Sequence, residues 1–242
     1  ASKIVQSIHP QPDETLVEIG PGQGKMTRLL QPLVKRLLAV EIDQRLYAEL
    51  EQRFSGCDNF QLIKQDFLQV DLATLNAEKM RIFGNIPYNI TSPILFRLFE
   101  QRRYVHDVVL LMQKEVAQRI VSSPNSKEYG ILAVICQVYA DVKLLFHVPP
   151  TVFRPQPQVD SALVQLRFSE TRAAELFDES FLRYLVRKAF GQRRKQLVNS
   201  LASCSKKQQL EDSAMACEIA LSRRAEELTL KEFATVSNHL HR

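Results

Sequence analysis

The chain has 242 residues, more than one average domain, and 45% of them are hydrophobic, which is enough for a sizeable core. No apolar run approaches the roughly 20 residues of a membrane span, and no secretory leader is visible, so we expect a cytoplasmic protein with no membrane partner. The four cysteines show no CxxC spacing and do not cluster with the five histidines. We therefore expect neither a disulfide framework nor a metal site.

Short apolar runs alternate with amphipathic stretches from Thr15 to about Phe168, a pattern typical of parallel strands connected by helices. The predicted strands cover residues 15–19, 37–41, 60–64, 81–84, 107–112, 142–147 and 162–168. The predicted helices cover residues 25–32, 44–54, 93–101, 114–121 and 130–140. Ser92-Pro93 is typical of a helix N-cap followed by proline at the first helical position.

A proline-rich segment at residues 148–157 cannot form a helix or a central strand, so it predicts an extended loop between the last two strands. Beyond Ser169 helical periodicity continues through Leu240, and Thr229 with Glu232 predicts a capping box at the start of the last helix. We therefore predict an α/β domain over residues 1–169 and a small all-helical domain over residues 170–242.

The net charge of +5 is concentrated in one stretch, because eight basic residues and no acidic residue lie between Ser180 and Leu210. A local basic surface attracts polyanions through salt-dependent phosphate contacts. A solvated helix face is the alternative. The residues expected to bind nucleic acid are Arg187, Lys188, Arg193, Arg194 and Lys195.

A glycine-rich turn follows the first strand in the sequence VEIGPGQG, residues 17–24, and leads into a helix. Glycines allow positive φ and a close approach of the backbone to a ligand. Glu41 ends the second strand, where a carboxylate can bind two ribose hydroxyls, and Asp66 follows the third strand, where it can accept a hydrogen bond from an adenine amino group. This spacing suits an adenosine without a pyrophosphate. A dinucleotide enzyme, plain tight-turn glycines and solvated loop carboxylates remain alternatives.

The tetrapeptide Asn85-Ile86-Pro87-Tyr88 follows an apolar strand, at the sheet edge where ligands bind in α/β proteins. The Asn85 side-chain oxygen and the Ile86 carbonyl are candidate acceptors for an adenine-like amino group, Pro87 stiffens the turn, and Tyr88 offers a stacking face. Phe153 is a candidate second wall, or alternatively a core phenylalanine under a loop. An ordinary strand-ending turn is the alternative for the whole tetrapeptide.

The series VEIGPGQG, AVEID, KQDFL and FGNIPYNI resembles, in order along the chain, the motifs of class I S-adenosylmethionine-dependent methyltransferases that act on amino groups. The resemblance implies a Rossmann-like α/β fold, with a mixed seven-stranded sheet and helices on both faces, and S-adenosylmethionine as methyl donor. The implied cofactor-binding residues are Gly20, Gly22, Glu41, Ile42, Asp66, Phe67 and Asn85. The implied catalytic residues are Asn85, Ile86, Pro87, Tyr88 and Phe153.

Over nearly the whole chain, stretches such as LLMQKEVAQRI, VPPTVFRPQPQVDSALV and KAFGQRRKQLVNSL are similar to the KsgA-type small-subunit rRNA adenine N6,N6-dimethyltransferases. The similarity implies dimethylation of two adjacent adenosines in the 3′-terminal hairpin loop of small-subunit rRNA, within a 30S pre-particle. We expect the protein to act as a monomer. Family members carry an N-F-L-x-D-like segment that helps cover the cofactor, and this sequence begins after that segment, on which we expect activity to depend.

Three alternative functions remain open at this point. They are a resistance-type adenine methyltransferase of large-subunit rRNA, a DNA adenine methyltransferase, and a non-catalytic nucleic-acid-binding member of the fold. The basic stretch at residues 193–195 is more similar to the small-subunit enzymes. The set of Glu41, Asp66 and Asn85 argues against a pure binding protein, which needs no such combination of polar residues.

Overall fold

The computed structural model describes residues 1–75, 79–152, 156, 158–168 and 176–241, which form two compact units. The sheet unit comprises Ala1–Ala117 and Lys143–Phe168, and the helical unit comprises Gln118–Val142 and Ser169–Arg242. The expected division at residue 169 stays a prediction, because residues 169–175 lie outside the described part of the chain. The compact units differ from that linear division, since residues 118–142 group with the C-terminal helices.

The described residues of the sheet unit form a mixed seven-stranded sheet with strand order β3-β2-β1-β4-β5-β7-β6. Neighbours among β1 to β5 are parallel, and β7 runs antiparallel to β5. The strands are β1 (Thr15–Ile19), β2 (Arg36–Glu41), β3 (Phe60–Lys64), β4 (Met80–Asn85), β5 (Val105–Gln113), β6 (Ala140–Val148) and β7 (Ser161–Phe168). All seven predicted strands are confirmed to within two residues at each end, as is the mixed sheet.

The centre of the sheet is formed by β1 and β4, which are apolar because parallel strands are buried on both faces. Packing between the two strands is tight at Gly84, since a Cβ there would lie 3.1 Å from the Cβ of Ile19, closer than most such contacts. Strand order reverses at this pair, because β2 and β3 lie on one side of β1, and β4 and β5 lie on its other side. Right-handed crossovers then place the connecting helices on opposite faces. Such a reversal opens a ligand crevice at the carboxyl ends of the strands.

The helices connected with the sheet are α1 (Ser2–Ile8), α2 (Thr27–Leu30), α3 (Gln44–Arg53), α4 (Thr91–Glu100) and α5 (Lys114–Ile120). Asp43 caps α3, because its side chain accepts hydrogen bonds from two backbone N–H groups of the first turn. The predicted N-cap at Ser92 is wrong, since α4 begins at Thr91 with Ile90 as its N-cap. A 3₁₀ turn at Tyr88–Ile90 leads directly into the helix. Pro93 consequently lies in the first helical turn, where its missing N–H costs no hydrogen bond.

The proline-rich segment after β6 contains one 3₁₀ turn, Pro150–Val152. The prediction that residues 148–157 form no helix is therefore wrong at this short turn. Proline is compatible with it because the first N–H of a helical turn has no acceptor within the turn. Residues 153–155 and 157, which include the candidate stacking residue Phe153, lie outside the described residues.

The helical unit contains α6 (Ile131–Tyr139), α7 (Glu179–Gly191), α8 (Leu197–Ser200), α9 (Lys207–Ala216) and α10 (Leu230–Leu240). The phenol of the inaccessible Tyr129 donates a hydrogen bond of 2.9 Å to the carbonyl oxygen of Leu228, and its ring packs against Phe190. The predicted capping box is confirmed, because Thr229 and Glu232 exchange side-chain to backbone hydrogen bonds. Among the described residues, no helix combines the length and the apolar character needed to cross a bilayer.

A buried ion pair attaches α1 to the sheet. Nε of Arg81 in β4 donates a hydrogen bond of 2.6 Å to Asp107 in β5, whose side chain is inaccessible. The second carboxylate oxygen of Asp107 accepts a hydrogen bond of 2.9 Å from the Gln165 amide. Nη1 of Arg81 donates to the carbonyl oxygens of Ile8 and His9 at 2.9 Å each. The guanidinium therefore neutralises a buried carboxylate and also holds the C-terminal end of α1.

Replacement of Asp107 by Ala should lower the free energy of unfolding by about 3 kcal/mol, because it removes the fully buried carboxylate of the pair and leaves the Arg81 charge with Glu14, at 3.3 Å. Urea unfolding followed by circular dichroism measures the change. Glu100→Ala is the matched control, since this carboxylate is 52% exposed and lies 3.5 Å from Arg97. Loss of such an exposed pair costs less than about 1 kcal/mol. Equal effects of the two substitutions would contradict the role assigned to the buried pair.

Candidate active site

An open cleft of about 470 Å³ lies at the carboxyl ends of β1 and β4, where strand order reverses. The glycine turn lines it together with Glu18, Asn85 and Val152. Gly20, Gly22 and Asn85, which the sequence placed in two separate motifs, thus share one cavity of the sheet unit.

The glycine turn has a backbone conformation that only glycine adopts without strain. Gly20 has φ of 61° and Gly22 has φ of 57°. A Cβ at either position would meet nothing within 4 Å. Backbone conformation, and not crowding, therefore requires glycine here. The open space beside both residues allows a ligand to approach the backbone closely.

Glu41 connects the glycine turn to the end of β2. One carboxylate oxygen accepts a hydrogen bond of 3.1 Å from the Gly22 N–H, and the other accepts bonds of 2.9 Å from the N–H groups of Ile42 and Asp43. The side chain is only 5% exposed. Three N–H donors thus hold this carboxylate in one orientation beside the turn.

The remaining candidate cofactor residues lie at the ends of β2 and β3, outside the lining of the cleft itself. Ile42 is 67% exposed, unusual for an apolar side chain. Asp66 uses one carboxylate oxygen to cap the Phe67–Gln69 turn, accepting a hydrogen bond of 3.0 Å from the Leu68 N–H. The Phe67 side chain is buried. Asp66 and Ile42 can therefore present polar and apolar groups to a ligand, whereas Phe67 packs inside.

Asn85 is the last residue of β4, and its side chain is exposed in the cleft. The following Ile86 is 2% exposed and anchors the turn in the core, while Pro87 has the extended conformation of an N-cap for the Tyr88–Ile90 turn. No hydrogen bond to the Asn85 amide or to the Ile86 carbonyl oxygen is seen among the described residues. The exposed Asn85 amide is therefore accessible to a ligand, whereas the 2% exposure of Ile86 leaves its carbonyl oxygen little accessible surface.

Glu18 is a site residue that sequence reasoning missed. It lies in the middle of β1, is 2% exposed, lines the cleft, and accepts a hydrogen bond of 2.7 Å from the Thr27 hydroxyl. Burial raises the pKa of the Glu18 carboxyl to about 7; the Thr27 hydrogen bond lowers this pKa and the nearby Glu41 charge raises it. An acid between two apolar residues of a central strand, in Val17-Glu18-Ile19, was the signal that could have identified it.

The five residues expected to bind nucleic acid do not have the same surroundings. Arg187, Lys188, Arg194 and Lys195 are exposed. Arg193 is only partly exposed, and its Nε donates a hydrogen bond of 2.6 Å to Glu226. Its guanidinium thus already stabilises the helical unit.

Nowhere in the described ranges are three or more His, Cys, Asp or Glu side chains grouped so as to hold a metal ion.

Glu18→Gln should remove a pH dependence of stability. The folded-state pKa of about 7 lies above the ordinary value of 4.5, so the wild-type protein loses stability as pH rises between these values, on the order of 3 kcal/mol in full. The glutamine variant keeps the Thr27 hydrogen bond and lacks this loss. Urea unfolding at pH 5 and pH 8 tests the difference. Glu49→Gln, at an exposed carboxylate on α3, should behave as wild type, and a wild-type pH response of Glu18→Gln would refute the assignment.

Comparison with solved structures shows the same fold in other proteins. A dimethyladenosine transferase from Plasmodium falciparum superposes with a TM-score of 0.80 at 24% identity, covering 97% of this chain and 92% of that chain. The 23S rRNA methyltransferase ErmE superposes with a TM-score of 0.75 at 23% identity, covering 100% of this chain and 96% of that chain. The predicted Rossmann-like class I methyltransferase fold is confirmed.

Sequence comparison identifies the family to which the chain belongs. The profile of the family described as ribosomal RNA adenine dimethylase matches residues 1–242. A ribosomal RNA small subunit methyltransferase A from Chlorobium phaeobacteroides is 44% identical, over 98% of this chain and 87% of that protein. A protein of the same name from Hydrogenovibrio crunogenus is 40% identical, over 99% of this chain and 91% of that protein. The chain therefore belongs to the ribosomal RNA adenine dimethylase family.

Proposed function

We propose that this protein transfers methyl groups from S-adenosylmethionine to N6 of two adjacent adenosines in the 3′-terminal hairpin loop of small-subunit rRNA, two methyl groups to each. The observation that carries the proposal is the exposed Asn85 amide on the same cleft as the glycine turn. The names of both relatives, small subunit methyltransferases, support the small subunit over the large one.

The residues around the cleft fit S-adenosylmethionine. The open space at Gly20 and Gly22 admits a ligand against the backbone. One oxygen of Glu41 accepts only a single N–H, so it keeps acceptor capacity for a ribose hydroxyl. Ile42 provides an exposed apolar surface for an adenine ring, and Asp66 an acceptor for its amino group. When bound, S-adenosylmethionine supplies a methyl group activated by a positively charged sulfonium.

Asn85 and Ile86 act on the acceptor base. An exocyclic adenine nitrogen is a weak nucleophile because its lone pair is delocalised into the ring, so catalysis depends on positioning and on electrostatic support. The side-chain oxygen of Asn85 and the carbonyl oxygen of Ile86 accept the two amino hydrogens. These acceptors draw the nitrogen towards tetrahedral geometry and stabilise the positive charge that develops on it.

The remaining residues of the turn hold the base. Tyr88 gives the flipped adenine a ring on which to stack, and Pro87 keeps the turn rigid. Phe153 remains a proposed second wall of this stack. After the first transfer only one N–H remains on the nitrogen, so the second transfer relies on fewer hydrogen bonds. Stacking then carries a larger share of the positioning.

The helical unit supplies basic residues for RNA. Arg187, Lys188, Arg194 and Lys195 are exposed, and contacts of such residues with phosphates give affinity that does not depend on sequence. We infer that the RNA is presented in a 30S pre-particle. We also propose that the protein acts as a monomer. The two bacterial relatives support a cytoplasmic location.

Asn85→Ala should lower kcat for methyl transfer to unmethylated 30S particles by about 10²–10³-fold, because it removes an acceptor that acts in the transition state. Transfer of label from S-adenosylmethionine measures the rate, and filtration measures particle binding, which should change little. Asn89→Ala, at an exposed asparagine in the same turn, is the matched control. Incorporation by the wild type into 50S particles or duplex DNA, but not into 30S particles, would overturn the proposed substrate.

Arg194→Glu should weaken binding to 30S particles several-fold at moderate salt and make the affinity less salt-dependent, because phosphate contacts are lost. Lys231→Glu, at an exposed lysine on α10, makes a charge reversal of the same sign and should have a smaller effect. Arg193→Glu should instead lower the stability of the protein, since it breaks the pair with Glu226. Equal binding by the Arg194 and Lys231 variants would argue against the basic surface.

A further inference from the structure

The Tyr88 side chain contacts Ser161, a residue to which none of the sequence motifs assigns a role. Its phenol oxygen lies 2.9 Å from the hydroxyl oxygen of Ser161, the first residue of β7. Ser161 is 1% exposed, so its hydroxyl is shielded from water. The hydrogen bond is retained because the buried Ser161 hydroxyl cannot exchange it freely for a bond to solvent.

The strand registers show what this bond spans. Asn85 of β4 lies opposite Leu111 of β5, and Ser161 of β7 lies opposite Gln113 of β5. The Tyr88 side chain therefore crosses the end of β5 to reach β7. The turn that begins at Asn85 is held at one end by strand pairing and at the other end by the phenol.

The backbone of Tyr88 is held as well. Its carbonyl oxygen accepts a hydrogen bond of 3.3 Å from the hydroxyl of Thr91, which is 2% exposed. With the backbone held by Thr91 and the phenol by Ser161, movement of the ring about its Cα–Cβ torsion is restricted. A ring restricted in this way loses little conformational entropy when a base stacks on it.

We propose that Ser161 is a positioning residue for methyl transfer, which acts by holding the Tyr88 ring in the orientation on which the acceptor base stacks. The inference rests on the proposed function. It also assigns Tyr88 a stacking role in which the phenol oxygen serves as an anchor to the sheet and takes no proton from the base. The second methyl transfer depends on this anchor more than the first, because one amino hydrogen has then been replaced.

Ser161→Ala should lower kcat by about three- to tenfold, the effect of one lost hydrogen bond, with the KM for S-adenosylmethionine unchanged. N6-monomethyladenosine should accumulate among the products, as measured by mass spectrometry of nucleosides from 30S particles. Tyr88→Phe removes the other partner and should have a similar effect. The double variant should be no slower than the slower single variant, and Ser161→Thr should restore kcat because it keeps the hydroxyl.

Ser200→Ala is the matched control, at a 3% exposed serine of the helical unit, and should leave kcat and the product ratio unchanged. Should Ser161→Ala fail to fold, Tyr88→Phe provides the same test with Ser161 intact. A wild-type kcat and product ratio in Tyr88→Phe, or multiplicative losses in the double variant, would overturn the inference. Failure of the wild-type protein to methylate 30S particles would refute the proposed function instead, so the two failures are distinguishable.

Discussion

The whole site depends on the pairing of β1 with β2 on one side and with β4 on the other. The last residue of β2 that pairs with β1 and the last residue of β4 that pairs with β1 both lie opposite Ile19. The residues that follow these three positions are Gly20, Glu41 and Asn85, which consequently leave the sheet at one level. Parallel register thereby brings the glycine turn, the carboxylate beside it and the Asn85 amide to one edge. An antiparallel neighbour on either side of β1 would have placed one of these groups at the opposite edge.

The two acids beside the glycine turn have different surroundings. Glu41 accepts hydrogen bonds from three backbone N–H groups. Glu18 has one hydroxyl partner and is buried, so its pKa is raised to about 7. Glu18 lines the cleft, whereas Glu41 is connected to it through the Gly22 N–H. The hydrogen bond from the Thr27 hydroxyl makes the buried acid compatible with a central strand, because it satisfies one carboxylate oxygen.

Local sequence patterns predicted the helices and strands well, and the residues at which they begin and end less well. Apolar runs located the inner strands because burial on both faces demands them, whereas the edge strands β3 and β6 are only partly buried. The N-cap at Ser92 was wrong because a preceding 3₁₀ turn moved the helix start to Thr91. The role predicted for Arg193 was incomplete for another reason, because its partner Glu226 is 33 residues away in sequence. No local pattern reveals a partner at that distance.

By itself, the sequence determined the α/β sheet, the positions of the glycine turn and of the turn at residues 85–88, and the likeness to a methyltransferase family. Each of these follows from contiguous residues, whose spacing reflects strand periodicity and turn chemistry. Only the tertiary structure decided that Glu18 faces the cleft, that residues 118–142 group with the C-terminal helices, and that Tyr88 is bonded to Ser161. These are contacts between segments distant along the chain. They arise from strand order and packing, which residue spacing does not encode.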